Sequence, residues 1–344
     1  MRVLVTGGAG FIGSEFIRMW RGSHPSDEIV NLDLLTYAGS RARLADVEHT
    51  PGYRFTQGDI CDRESVQRAL NGCQLVVHLA AETHVDRSIT DAAPFLRTNV
   101  EGTYRLLQAA AASGVAQFIH VSTDEVYGPV LQGAVDEGVV LSPRSPYAAS
   151  KAAGDLLVQA FRATYGLPVI VVRPTNIYGP GQLPEKFIPL CITNGCEKRP
   201  VPVYGDGQQR RSWLFVTDLC RALEAVIEWG RVGEIYNVAG GQELANLDVA
   251  KAILSQLGVS TDLLTFVADR PGHDRRYAMT DATLRALGWQ SQVSFEEGLS
   301  RTIAWYRERS EWWKPLVKRL REDSYHWLNR PAGSGAGPRP GALR

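Results

Sequence analysis

Thr123, Asp124 and Glu125 stand in a row, and Tyr147 and Lys151 follow at a spacing of four. On a helix, Tyr147 and Lys151 share one face a turn apart. A nearby ammonium lowers a phenol's pKa, so Tyr147 becomes a base toward an alcohol near neutral pH. Adjacent carboxyls suit a different task. If their pKa values split, one gives a proton while the other takes one, and water can leave a substrate. Each signal is weak alone: Asp-Glu pairs commonly cap helices or face solvent, and YxxxK arises often by chance.

The first forty residues supply the context that chemistry needs. Gly7-Gly8-Ala9-Gly10-Phe11-Ile12-Gly13 follows an apolar run directly and satisfies both GxxGxxG and GxGxxG. A pyrophosphate has to approach the backbone and rest on a helix N-terminus, so Gly10 must carry no side chain, and Gly13 lets helix and strand close up. Asp33 lies about twenty residues on, at the end of a second apolar run, where an acid binds ribose hydroxyls and repels a 2′-phosphate. The cofactor expected is therefore NAD rather than NADP, and its positive nicotinamide ring adds to the effect of Lys151 on Tyr147. Asp59 and Ile60 end the third run and Leu79, Ala80 and Ala81 the fourth. In open α/β sheets ligands collect at these carboxyl ends.

The elements that position these residues read as a doubly wound parallel α/β sheet of Rossmann type. Candidate strands are 2–6, 28–32, 53–57, 75–79, 118–122 and 169–173, with helical patterns at 65–71, 94–113 and 147–165. Apolar strands joined by helices imply right-handed crossovers. After Pro174 glycine and proline thicken, and helical patterns recur at 216–229, 248–256 and 295–309. The expected division is a dinucleotide-binding unit over 1–174, open to being rejoined by later strands near 209–238, a smaller C-terminal α/β substrate lobe over 175–317, and an extension over 318–344. Trp312, Trp313, Leu316, Leu320 and Trp327 form an apolar stripe suited to a closing helix, and the Gly/Pro/Arg-rich end from about 330 is expected to be disordered.

Composition narrows the class further. The chain has 344 residues, 44% hydrophobic and 22% charged, with a formal net charge of +0. That balance argues against a nucleic-acid partner. Five cysteines without a CxxC pair suit reduced cytosolic thiols, and no histidine near Cys191 and Cys196 completes a metal set. No leader and no run of ~18 apolar residues precedes or interrupts the pattern, so no membrane partner and a cytoplasmic location are expected.

Taken together, Thr83–Ser88, Ser122–Gly128, Ser145–Ala152, Arg173–Pro189, Gly205–Asp218 and Asp269–Tyr277 resemble the extended short-chain dehydrogenase/reductase family, and within it the branch that dehydrates nucleoside-diphosphate glucose. The resemblance covers roughly residues 1–315. Epimerases of the family share the glycine motif and YxxxK but typically lack the Asp-Glu pair. The resemblance implies that Tyr147, partnered by Thr123, takes the 4-hydroxyl proton during C4 oxidation by NAD, that Glu125 takes the C5 proton, that Asp124 protonates the leaving C6 hydroxyl, and that hydride returns to C6. It adds Thr83 and Asn99 to the cofactor contacts. It also implies a sugar-nucleotide pocket of Asn176, Glu185, Lys186, Phe187, Tyr204, Arg211, Asn246, Arg270 and His273, with dTDP-glucose as the first-choice substrate and a homodimer built on helices 94–113 and 147–165. His84 and Arg87 either touch the sugar or brace their loop. Arg210 and Ser212, beside Arg211, depart from the family's usual hydrophobic residue and Asp. Thymine against uracil stays open. So do a 4-epimerase or decarboxylase on the same scaffold and, more remotely, a non-catalytic NAD sensor.

Overall fold

The computed structural model describes residues 1–322. Trp327 and the Gly/Pro/Arg-rich end lie outside the described residues. The first half runs β1 (Arg2–Thr6), α1 (Phe11–Ser23), β2 (Glu28–Asp33), β3 (Tyr53–Gln57), α2 (Arg63–Leu70), β4 (Leu75–His78), α3 (Val85–Thr90), α4 (Ala93–Phe95), α5 (Thr103–Ser113), β5 (Gln117–Val121), α6 (Pro146–Tyr165) and β6 (Val169–Pro174). The second half runs β7 (Asn176–Tyr178), α7 (Phe187–Cys196), β8 (Val201–Tyr204), β9 (Arg210–Phe215), α8 (Val216–Trp229), β10 (Ile235–Val238), β11 (Gln242–Ala245), α9 (Asn246–Leu257), β12 (Leu264–Val267), α10 (Ala282–Arg285), α11 (Phe295–Glu308) and α12 (Ser310–Glu322).

Seven strands form one parallel sheet in the order β10-β6-β5-β4-β1-β2-β3. The order reverses between β4 and β1, which opens a crevice at their carboxyl ends. Strand side chains alternate between two apolar layers. Val3, Val5, Val77 and Ile119 pack with α1 and α8, while Leu4, Val76, Phe118 and Val171 pack with α2, α5 and α6. Both faces are covered, and this accounts for the nearly unbroken apolar strands. β10 comes from the second half and pairs with β6 in register Ile235↔Val171.

The second half builds a three-stranded sheet, β11-β9-β7, and a parallel pair, β12-β8, over a third core that includes Tyr178, Phe215, Ile253 and Tyr306. Trp313 and Val317 of α12 are buried in this core, and Trp312 packs against it. Five strands of the second half have only three or four residues.

The pattern over 94–113 predicts one helix, and the structure divides it. A wide-turned π segment, Leu96–Gly102, precedes α5. It brings Gly102 against Ile60, with no room for a Cβ, and the Asn99 carbonyl against Gly154 of α6. Such segments favour functional sites because they re-aim side chains without ending the helix. Here the re-aimed residue is Asn99.

Candidate active site

Sheet order alone delivers the ends of β1, β2, β4 and β5 to one crevice. Gly7, Gly10, Phe11, Ile12, Gly13, Asp33, Asp59, Ile60, Leu79, Ala80, Ala81 and Thr83 line it, together with Thr123, Asp124, Glu125, Tyr147, Lys151, Asn176, Glu185 and Lys186. The glycine turn is shaped by absent atoms. Gly7 has a left-handed φ of 72°, and a Cβ there would stand 2.7 Å from the Ala80 backbone. A Cβ on Gly13 would collide with the Gly7 carbonyl. Gly10 caps α1 without a side chain, so the first amides of that helix have no intrahelical partner and face the cleft as an anion site. Asp33 Oδ2 accepts from Ala9 N at 2.9 Å and Oδ1 from Leu35 N at 2.8 Å. Each oxygen keeps a further lone pair for a diol. These residues fit a dinucleotide with a free 2′-hydroxyl.

Asn99 shapes the wall from behind. Its Oδ1 accepts from Glu82 N at 2.9 Å, and its Nδ2 donates to Glu82 O at 3.0 Å and to Ser150 Oγ at 2.8 Å. Beneath lies a buried polar thread. Thr103 Oγ1 donates its only proton to Asn99 O at 2.7 Å. His78 must then donate through Nε2 to Thr103 and accept through Nδ1 from Thr6, at 3.0 and 2.8 Å. Burial holds His78 well below the usual histidine range, so it stays neutral.

The STDE segment leaves β5 and turns at once into a single 3-10 turn, Asp124–Tyr127, capped by the Thr123 hydroxyl on Glu125 N. That turn buries Asp124, which is only 4% exposed. Its carboxylate accepts from Thr123 Oγ1 at 3.3 Å and from Thr175 Oγ1 at 3.1 Å. Burial, reinforced by the Glu125 charge, pushes it up to about 7. Glu125 is raised too, again by burial, but Arg270, Arg211 and Lys186 all pull it back. Three cations serve Glu125, whereas Arg211 alone among them opposes the rise at Asp124. The surroundings of the pair are therefore asymmetric: more positive charge faces Glu125 than Asp124, which favours the ionised form at Glu125.

Tyr147 and Lys151 lie on the first turns of α6, capped by Ser145. The expected lowering of Tyr147 by Lys151 is not what the structure gives. Burial and the Glu125 charge raise the phenol, and a hydrogen bond from Thr123 offsets part of the rise. Lys151 is itself buried, pushed down to about 8, and donates to Val121 O at 2.7 Å. One N–H of its ammonium thus goes to the backbone, and the charges that act on Tyr147 are those of Glu125 and Asp124.

The residues expected to hold a sugar nucleotide fall into two groups. Asn176, Glu185 and Lys186 line the cleft, and Phe187 follows at the start of α7, its ring stacked on Trp213 at 6.3 Å. Further out, Arg211 is 4% exposed, donates to Asp274 O at 2.8 Å and lies 4.3 Å over the Tyr277 ring. Arg270 pairs with Asp86 at 3.6 Å, and Tyr204 donates to the same carboxylate at 2.9 Å. His273 bonds Asp269 at 2.6 Å, and burial pushes it down to about 4. Asn246 opens α9. His84 caps α3 by accepting from Arg87 N at 3.4 Å, and its Nε2 meets Glu185 O at 3.2 Å, so it braces its loop. Asn176 Oδ1, Asn246 Oδ1 and Arg270 Nε are buried without a partner. Each such atom costs about 1–3 kcal/mol, which a bound polar ligand would offset.

Sequence reasoning passed over Tyr277 and Thr175. Tyr277 donates to Asp274 Oδ2 at 2.8 Å and reaches Glu125 Oε2 at 3.4 Å. The only available signal was its place at the end of the Asp269–Tyr277 segment. Thr175 had none beyond following Pro174. Arg210 and Arg276 both grip Glu243, so the departure at Arg210 is absorbed at the surface.

A glycine cradle, a switch-point crevice and a Tyr-Lys pair beside two carboxyls define a dinucleotide-dependent enzyme of the extended short-chain type. The model of the NAD dependent epimerase/dehydratase family matches residues 3–239, and the chain belongs to that family. It is 51% identical over 321 residues to a dTDP-glucose 4,6-dehydratase of Streptomyces niveus, covering 92% of this chain and 96% of that one. The solved dTDP-glucose 4,6-dehydratase of Streptomyces venezuelae, with NAD bound, superposes with a TM-score of 0.90 at 50% identity, covering 92% of this chain and 100% of that one. A UDP-glucuronic acid 4-epimerase of Bacillus cereus gives 0.85 at 27% identity, covering 90% and 99%. Among the described residues no helix is long and apolar enough to cross a membrane.

Proposed function

We propose that this protein is a lyase that dehydrates dTDP-glucose to dTDP-4-keto-6-deoxyglucose, the entry step to deoxysugars. The observation that carries the reading is the asymmetric pair: Asp124 held up to about 7 beside a Glu125 served by three cations. An epimerase needs no such pair.

Tyr147, which burial and Glu125 raise in the unliganded protein, takes the proton of the 4-hydroxyl once the positive nicotinamide ring of bound NAD lowers its phenol. When bound, NAD supplies the acceptor for the hydride leaving C4 and returns that hydride to C6. The new C4 carbonyl makes the C5 proton acidic, and Glu125 takes it. Asp124 gives its proton to the C6 hydroxyl, which departs as water. Glu125 then hands its proton back to C5. Thr175 and Thr123 hold the Asp124 carboxyl, and Tyr277 and Arg211 hold Glu125 in place. Arg211 and Arg270 suit the diphosphate and nucleotide, and the unpartnered Asn176 and Asn246 oxygens suit donors of the same ligand.

The reading includes a homodimer joined through α5 and α6, supported by exposed Leu96 and Leu156 on and just before those helices. It includes a cytoplasmic location, supported by five free cysteines. The test is incubation with dTDP-glucose followed by alkali. The absorbance of a 4-keto product is expected, and an epimerised product without a ketone would sink the proposal. Light scattering of the purified protein checks the dimer.

A further inference from the structure

The loop after β2 leaves the sheet at Asp33 and forms one lip of the cleft through Leu34, Thr36, Ala38 and Gly39. The opposite lip is formed by Gln182, Leu183, Glu185 and Lys186 of the second half. One hydrogen bond crosses between them: the Tyr37 hydroxyl donates to Glu185 Oε1 at 3.0 Å. The other carboxylate oxygen accepts from Arg87 Nε at 3.3 Å, and the Arg87 guanidinium lies 4.1 Å over the Tyr37 ring. Tyr37 is half-buried, and burial together with Glu185 and Glu82 holds its phenol far above the ordinary value, so it remains a donor. A second tie lies further along the same loop, where Arg43 donates to the Gly181 carbonyl and sits over Trp312 of α12.

The neighbour of Glu185 is Lys186, which donates to Thr83 O at 2.7 Å and is one of the three cations acting on Glu125. The Tyr37–Glu185 bond therefore joins the loop beside Asp33 to the segment that sets the charge at the catalytic carboxyl. We propose that Tyr37 is a coupling residue: through Glu185 it ties the cofactor-side loop to the sugar-nucleotide side, so that NAD leaves only when this bond opens and a bound nucleotide slows its departure. To the extent that the nucleotide raises the equilibrium affinity for NAD, linkage makes that gain reciprocal, with NAD strengthening nucleotide binding by the same factor. A reaction that leaves NAD unchanged overall needs no exchange of cofactor between turnovers, so a closed tie does not hinder it. The inference takes its nucleotide, but not its NAD site, from the proposed function.

Tyr37→Phe keeps the ring under Arg87 and removes only the hydroxyl. The protein is loaded with NAD and desalted, and NAD appearing in the filtrate is followed with and without dTDP. Loss of a hydrogen bond to a charged group predicts NAD release about tenfold faster in Y37F. Addition of dTDP should slow release from the wild type several-fold and from Y37F much less. Arg87→Lys, which loses the planar stack, should move release in the same direction. Equal release from wild type and Y37F, or a dTDP effect of the same size in both, overturns the proposal. Absence of a 4-keto product from dTDP-glucose would instead overturn the proposed substrate and leave the NAD comparison readable, so the two failures are distinct.

Discussion

The two walls of the cleft are made of different materials. The cofactor wall is backbone: Gly7, Gly10, Gly13, Ala80 and the free amides of α1 leave room and point donors. The wall proposed for the sugar nucleotide is side chain: Lys186, Arg211 and Arg270, delivered by separate elements, bring positive charge to Glu125, and the Tyr277 hydroxyl reaches its carboxylate. A site made by leaving atoms out is damaged by adding one. A site made by balancing charges is damaged by removing one. The difference predicts which substitutions act on binding and which on chemistry.

The largest effect is expected at Glu125. Glu125→Gln keeps the shape and removes the base, so turnover should fall by about 10²–10⁴, and reduced cofactor should accumulate after the first half-reaction. An intact fold with no reduced-nicotinamide absorbance would deny Glu125 its role and make both walls mere binding surfaces.

Asp124→Asn is next, with turnover reduced by about 10² or more. Stability should move the other way. The Asp124 proton leaves near 3.8 in the unfolded chain and at about 7 in the folded one. Between those values the unfolded state holds fewer protons, so this residue's contribution to stability declines as pH rises and is lowest above about 7. D124N should therefore melt higher than wild type at neutral to alkaline pH and lose that advantage near pH ~4. The dehydration step of the wild type should weaken as pH rises through about 7, as Asp124 loses its proton. A melting gain independent of pH would mean that packing, not charge, separates the two carboxyls.

On the cofactor wall, Gly13→Ala adds one methyl against the Gly7 carbonyl. Overpacking strain of about 1–3 kcal/mol should appear as weaker NAD binding in a calorimetric titration, with dTDP affinity nearly unchanged. If dTDP binding fell equally, the walls would not be separable. The smallest effect is expected at the departure from the family pattern. Arg210→Leu leaves Arg276 still holding Glu243, so melting should change by less than about 1 kcal/mol and turnover hardly at all.

The same difference explains how much could be read from the sequence. Glycine spacing, apolar strand runs and Asp33 at a strand end are local patterns that agree with one another, so the parallel sheet and its crevice were legible. The Asp124–Glu125 pair was legible as a pair, but its asymmetry was not. That depends on Arg211, Arg270 and Lys186, which lie from 61 to 145 positions away along the chain and converge only in three dimensions. The partner of Lys151 was hidden for the same reason. Helical spacing put Lys151 beside Tyr147, but its ammonium turns to the Val121 carbonyl, a partner that spacing does not reveal. The π segment was hidden because its sequence is as helical as its neighbours'.

β10 returns from the second half to the edge of the main sheet beside β6. Anyone expressing residues 1–174 alone would cut that pairing. The exposed edge would then be Val169-Ile170-Val171-Val172, an apolar strand with open backbone donors and acceptors and no charged gatekeeper before Arg173. Such an edge recruits copies of itself. The fragment should therefore go to inclusion bodies, and a soluble cofactor-binding piece would have to carry β10 along with it.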